Sequence, residues 1–432
     1  MKKGRLIAVI AAALVIVVLL VVYFNNGSGS SASSKKQVTM WVHFSKTDPE
    51  GKAMQKNIAA FNKDNKSGYQ ATVQYIPRSG AGGGYEDKIN AALNSNSLPD
   101  VLTLDGPNTA AYAKSKIIQP VGKYITNKSD ILPSIISQGT YQGKLYAVGY
   151  SESGVGIFYN KKMFKEAGIP DSELPTLTKT WNWDQFTSIA KRLHEHFSQP
   201  AIDMQLADHS EWAIYSFSPF LWSAGGNITN PSGTKATGIF DSKANESAFA
   251  FLQNLVKNGY TTISPIKAGF QTGKYPMMMS GSWTIQELNS SYKNIDYGIL
   301  PYPVSPKTNK LVSPTGSWQY AMSASTKKTA ASGALVNFLT QTNQMYRTSM
   351  GNTVLPARRS VSRRMLPKVT APMRFLIQQN LKSGHARPVL VNYPQVSRTF
   401  ADTVTKSTYY RQNSNIASLL KSEAKTIQSY LK

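Results

Sequence analysis

Residues 141–161 read Tyr-Gln-Gly-Lys-Leu-Tyr-Ala-Val-Gly-Tyr-Ser-Glu-Ser-Gly-Val-Gly-Ile-Phe-Tyr-Asn-Lys. Tyr141–Lys144 has turn composition, and Leu145–Val148 reads as a short strand. Gly149–Gly154 is small and polar, and Val155–Tyr159 resumes as a β-branched and aromatic strand. A polar, glycine-rich break between two buried strands suits a passage between two lobes that also faces a ligand. An ordinary sheet interrupted by a loop fits the same residues. Gly149-Tyr150-Ser151-Glu152-Ser153 stops one residue short of a nucleophile elbow, because Ser153 stands where the last glycine is needed. No helix follows it, so no esterase-type enzyme is expected.

Moving outward, 432 residues with 41% apolar side chains and 22 prolines exceed one comfortable domain and predict two lobes. There is no cysteine, which excludes disulfides, thiolate metal sites and a lipid-modified cysteine anchor. The net charge of +25 first suggests nucleic acid. Yet only 16% of residues are charged, most lysines stand singly, and only Arg358-Arg359 and Arg363-Arg364 cluster. No nucleic-acid motif accompanies them, so no nucleic acid is expected as a partner; a basic exported protein beside an anionic envelope fits better. Lys2, Lys3 and Arg5 precede an apolar run from Leu6 to Phe24. As a helix this run spans ~28 Å, about the hydrocarbon thickness of a bilayer. It predicts an anchor whose basic flank stays cytoplasmic. Gly27–Ser34 also offers small residues at which a signal peptidase could cut. Asn25–Lys36 reads as a Gly/Ser tether.

Val38–Phe44 is the first strand, and Asp48-Pro49 opens a helix with Met54, Ile58 and Phe61 on one face. In such α/β units ligands lie beyond the carboxyl ends of the strands, which directs His43, Phe44, Ser45 and Lys46 toward a cleft. A core histidine or a plain loop is the alternative for each. Gln70–Ile76 is a second strand. Ser79–Gly84 is glycine-rich but lacks the Gly-Lys-Ser/Thr ending of a phosphate loop. Asp105 closes the strand that begins at Val101. Asn182 and Gln185 form a capping box. His194-Glu195-His196 places its two histidines on nearly opposite helix faces, so no metal is expected. No cofactor motif is present. Glu211–Gly226 carries Trp212, Tyr215, Phe217, Phe220 and Trp222, mostly core by composition. Phe270–Trp283 is an apolar segment ending in Ser280-Gly281-Ser282-Trp283.

The run Gly143-Lys144-Leu145-Tyr146-Ala147 followed by Tyr159-Asn160-Lys161-Lys162-Met163-Phe164-Lys165-Glu166-Ala167-Gly168-Ile169 resembles the central signature of the carbohydrate-type extracellular solute-binding proteins of ABC importers, the family of the maltose-binding protein. Leu98-Pro99-Asp100-Val101, Gly281-Ser282-Trp283, Tyr297–Pro303, Ser313–Ser323, Asn352–Arg359 and His385–Thr403 are similar to further signatures in the same order. The resemblance spans 37–432. It implies an α/β, two-lobed periplasmic-binding-protein-like clamshell with an interlobe cleft, preceded by a membrane-spanning or signal segment. The expected lobes are 37–148 with 301–345, and 149–300 with 346–432, after an anchor and tether at 1–36. It also implies that Trp283 faces the sugar. Aromatic faces for stacking and polar groups for hydroxyls give a candidate set: His43, Ser45, Asp105, Tyr150, Glu152, Tyr215, Trp222, Trp283, Trp318 and Phe400. Tyr150 and Glu152 are expected on the cleft floor, opposite Trp283. Ser45 stands where relatives often carry a carboxylate. The expected partners are a mono- or oligosaccharide and the permease subunits of the importer, with the chain acting as a monomer. A peptide or polyamine binder, or a sensor or adhesin on the same fold, stays open.

Overall fold

Two six-stranded sheets share the chain, and the strands change sheet at the stretch quoted above. In this computed structural model the described residues are 36–64, 68–78, 83–409, 411 and 415–431. The expected anchor, nearly all of the tether and residues 79–82 of the glycine-rich loop lie outside them. Apart from a small hairpin of Thr140–Tyr141 with Lys144–Leu145, the strands in chain order are β1 (Lys36–Val42), β2 (Tyr69–Tyr75), β3 (Val101–Asp105), β4 (Ile118–Gln119), β5 (Ala147–Gly149), β6 (Ser153–Asn160), β7 (Ile202–Asp203), β8 (Met277–Gly281), β9 (Tyr297–Leu300), β10 (Ser313–Gly316), β11 (Trp318–Ser323) and β12 (Gly384–Ala386). The helices that matter below are α1 (Pro49–Asp64), α2 (Glu211–Ser223), α3 (Thr342–Asn352), α4 (Arg359–Met365) and α5 (Tyr393–Thr408).

The first sheet runs β2-β1-β3-β11-β4, with β5 also on β11. β1 pairs in parallel with β2 and β3, whereas β11 is antiparallel to β3. The alternation Val38, Met40, Val42 buries one face of β1, as its sequence requires. The second sheet runs β12-β10-β6-β8-β7, with β9 beside β6. β6 is buried at every position after Ser153, the pattern of a central strand covered on both faces. The capping box forms as expected: Gln185 N donates to Asn182 Oδ1 at 2.9 Å and Asn182 N to Gln185 Oε1 at 2.8 Å. Trp181, Trp183 and Trp212 are core residues of the second lobe, Trp212 as its segment's composition suggests.

Three passages join the lobes. The first is Tyr150-Ser151-Glu152, between β5 and β6. The second is Ser317, between β10 and β11. The third follows α3, which packs on α1 of the first lobe, and ends before the helix Ala371–Ser383 under β6. The first and third are tied together: Glu152 N donates to Leu355 O at 2.7 Å and Leu355 N to Glu152 O at 2.9 Å. The expected second boundary at 300/301 therefore moves to Ser317, because β10 pairs with β6 and β12 of the second sheet. The third moves from 345/346 to beyond α3, since Asn57 of α1 bonds to Gln344 and Thr348.

Candidate functional site

The carboxyl ends of β3 and β8, the start of α2 and the segment after β12 converge where the sheets meet. Asp105 ends β3 and is met from the second lobe by Arg387, whose Nη2 lies 2.8 Å from Asp105 Oδ1. Arg387 Nη1 lies 2.6 Å from Oε2 of Glu211, the first residue of α2. Tyr393 and Ser397, one turn apart on α5, both donate to Glu211, at 2.6 and 2.5 Å. The Arg387 side chain is 5% exposed. Burial opposes its charge, but Asp105, Tyr393 and Glu211 outweigh that and hold the guanidinium firmly protonated.

Tyr215, one turn along α2 from Glu211, lies beneath this guanidinium at 5.1 Å. Its hydroxyl is 2.8 Å from Ser153 Oγ, which itself donates to Gly316 O at 2.7 Å, so Tyr215 is the donor to Ser153. The packing over Gly316 is close. A Cβ would stand 3.0 Å from the Tyr215 ring and 3.1 Å from Arg387 Nη2.

On the first lobe, Trp318 begins β11 and stacks on His43 with ring centroids 3.4 Å apart. The Arg78 guanidinium covers the same indole at 5.0 Å and pairs with Glu86 at 3.2 Å. Burial, assisted by Arg78, pushes the His43 imidazole well below its usual range, so it is neutral, with Nδ1 3.1 Å from Thr103 Oγ1. On the second lobe, Trp283 follows β8 and is 48% exposed, edge-on to Trp212 at 6.3 Å. Its indole lies back over Gly281, where a Cβ would fall 2.1 Å from Trp283 Cζ3. Glycine at 281 is what lets the ring lie there.

The structure thus groups Asp105 and Tyr215 through Arg387, sets His43 and Trp318 on the first lobe, and presents Trp283 from the second. Other expected residues lie elsewhere. Tyr150 is 1% exposed, stacked on Tyr320 at 4.2 Å, and its hydroxyl donates to Glu50 of α1 at 2.8 Å. It belongs to the interior of the first lobe, not to a cleft floor. Glu152 is also 1% exposed, held at the passage by Leu355 and by Ser134 Oγ at 2.9 Å. Burial pushes its carboxyl up to about 8, so it is protonated at neutral pH. Trp222 packs on His385 beside the loop that carries Asn227, at the far end of α2 from Glu211. Phe400 is fully buried between Phe240 and Phe249. Ser45 spends its hydroxyl on Thr47, 2.9 Å away in the same loop. Arg387, Glu211, Tyr393 and Ser397 escape sequence reasoning: 176 residues separate Arg387 from Glu211, and no local pattern joins them. The signal available was Tyr393 and Ser397 at helical spacing behind a lone arginine.

The model of the bacterial extracellular solute-binding protein family matches residues 56–373. The structure superposes on the cyclic α-maltosyl-1,6-maltose binding protein of Arthrobacter globiformis with a TM-score of 0.80 at 21% identity, covering 92% of this chain and 99% of that one. UgpB of Mycobacterium tuberculosis in complex with glycerophosphocholine superposes with a TM-score of 0.72 at 20% identity, over 94% and 98%. These likenesses show the two-lobed fold. By sequence, the maltotriose-binding protein of Pyrococcus abyssi is 23% identical over 236 residues, 52% of this chain and 46% of that protein. The chain spans about half the length of the curated relatives it matches.

Proposed function

This chain belongs to the bacterial extracellular solute-binding protein family, and we propose that the solute it captures is a neutral carbohydrate, a mono- or oligosaccharide held between the lobes and handed to an ABC permease. The observation that carries the proposal is Trp283, a half-exposed indole at the carboxyl end of a second-lobe strand, one ring away from a polar network. An indole face stacks on the apolar face of a sugar ring, and the polar groups around it bond hydroxyls.

The charge balance around the network supports a neutral ligand. Arg387 is already matched by Asp105 and Glu211, and Arg78 by Glu86. Among the described residues of this network no cation is left over for a phosphate. A polyamine would have to displace Arg387 from both carboxylates at once. The maltotriose-binding relative and the cyclic α-maltosyl-1,6-maltose binding protein are sugar binders according to their names, and they lend the reading further support.

Ligand entry and release then require the lobes to rotate about the three passages, with Glu152 and Leu355 as a paired pivot. Because the first two passages are short, with β6 and β11 starting within three residues of their sheet-changing turns, and the third is pinned to the first through Leu355, the lobes move as rigid bodies. Isothermal titration of the full chain with a panel of maltooligosaccharides, glycerophosphodiesters and polyamines tests the proposal. Binding of a sugar alone is the expected result; binding of only a charged solute would refute it.

A further inference from the structure

Solute capture leaves the arginine cluster unused. It lies in a run of sequence, residues 297–401, that holds fourteen Lys and Arg and no Asp or Glu. The structure splits the cluster. Arg358 is fully buried, with Nε 2.6 Å from Thr340 O, Nη1 2.8 Å from Asn127 O and Asp130 3.6 Å away. It is a structural post. Arg359, Arg363 and Arg364 instead stand exposed on α4, and Lys368 and Arg374 follow them on the same surface segment, also exposed. None of these five forms an ion pair among the described residues. Of these cations Arg363 lies within electrostatic reach of Asp130, whose oxygens accept from Ser360 N and Oγ at 2.9 and 2.6 Å.

The face also has an apolar part. Arg364 lies over Tyr346 at 3.7 Å and Lys368 at 5.8 Å. Met350, one turn beyond Tyr346 on α3, is 38% exposed and shares a crevice with Lys368. Arg364 also donates to Asn343 Oδ1 and Arg374 to the Leu366 and Val369 carbonyls, which leaves their charges uncompensated. Five exposed cations without a carboxylate partner, with a tyrosine and an exposed thioether beside Arg364 and Lys368, match a surface that is anionic outside and apolar just beneath. We infer that this face, α4 with the ends of α3 and of the 366–374 segment, rests on an anionic phospholipid bilayer. A soluble polyanion would satisfy the cations but would give Met350 nothing to enter, whereas the headgroup boundary of a bilayer takes both. The length of chain before β1 agrees. Residues 25–35 reach at most about 40 Å from the end of the apolar run Leu6–Phe24, so an anchored body stays within reach of the bilayer.

The test uses the full chain reconstituted in phosphatidylcholine vesicles with or without phosphatidylglycerol, read by hydrogen exchange. The expected result is that amides of 359–368 exchange about tenfold more slowly when phosphatidylglycerol is present. High salt, and the triple change Arg363→Glu, Arg364→Glu, Lys368→Glu, should each remove the slowing. Circular dichroism melts of that variant confirm folding, which exposed side chains do not govern. Equal exchange in the two kinds of vesicle would overturn the inference. So would equal slowing by soluble polyphosphate without anionic lipid, which would assign the face to a free polyanion instead.

Discussion

Arg387 of the second lobe holds Asp105 of the first at 2.8 Å, while its other terminal nitrogen holds Glu211 of its own lobe at 2.6 Å. One guanidinium is therefore both a core element of the second lobe and the latch between the two. Removing either partner has a different outcome. Asp105→Asn releases the latch but leaves Arg387 matched by Glu211, so the melting temperature should change little. The unliganded protein should then open further, seen as a larger radius of gyration by small-angle scattering. Arg387→Met leaves Glu211 without its cation and should cost about 3–5 kcal/mol in urea unfolding.

Trp283→Ala should weaken sugar binding by about 1–3 kcal/mol, by analogy with aromatic stacking on bases, with no loss of folding because the ring is half exposed. Gly281→Ala should cost a similar amount without touching the ring chemically, since its Cβ would collide with Trp283 Cζ3. Calorimetry on both variants checks this. A Gly281→Ala protein that binds sugar as well as wild type would show that the placement of the indole does not matter.

The buried carboxyls give the fold a pH slope. Glu152 is pushed up to about 8 and Glu50 to about 7, burial being the main cause in each. A carboxyl raised in the folded state binds its proton more tightly there than in the unfolded chain. Its contribution is thus fully present below the unfolded value near 4.5 and is lost as pH rises toward 8. Glu152→Gln should flatten that slope, by about 5 kcal/mol at most. Denaturant midpoints at pH 5, 6, 7 and 8 give the comparison; an unchanged slope would mean that Glu152 ionises freely.

Thr353 sits at φ 51° at the end of α3, in the left-handed region that a β-branched residue enters at a cost. Thr353→Asn should stabilise the protein by about 1 kcal/mol in chemical unfolding. The gain measures strain kept at the start of the third passage.

Phe400 discriminates core from site. Phe400→Ala should cost about 3–5 kcal/mol of stability. The affinity of the remaining folded protein for sugar should not change, which titration at low temperature would show.

How far the sequence could be read divides along physical lines. Strands ending at Asp105 and near His43, and the strand–tryptophan unit at Gly281–Trp283, follow from local alternation and from rules about strand ends, and they stand where expected. The capping box at Asn182 is a contact three residues long and equally legible. Phe400 and Tyr150 are different. Whether a helix or strand turns an aromatic ring inward depends on which neighbour covers it, Phe240 and Phe249 in one case and Tyr320 in the other. That is a tertiary choice. The Arg387–Glu211–Asp105 triangle joins three distant points of the chain, and periodicity carries no trace of it. The second lobe boundary falls at Ser317 and not at 300/301 for a related reason: β10 pairs into the second sheet and β11 into the first, and nothing local within Ser313–Ser323 distinguishes the two.

The position of β11 also governs the order in which this chain can become a protein. β11 lies inside the first sheet, against β3, β4 and β5, yet it follows five of the second sheet's six strands in sequence. Made from its amino terminus, the chain leaves β3 with an open edge until residue 323 has arrived. An early, finished first lobe is therefore denied to the nascent chain. In a family of extracellular proteins, the first lobe of this chain closes only after most of the polypeptide has been made.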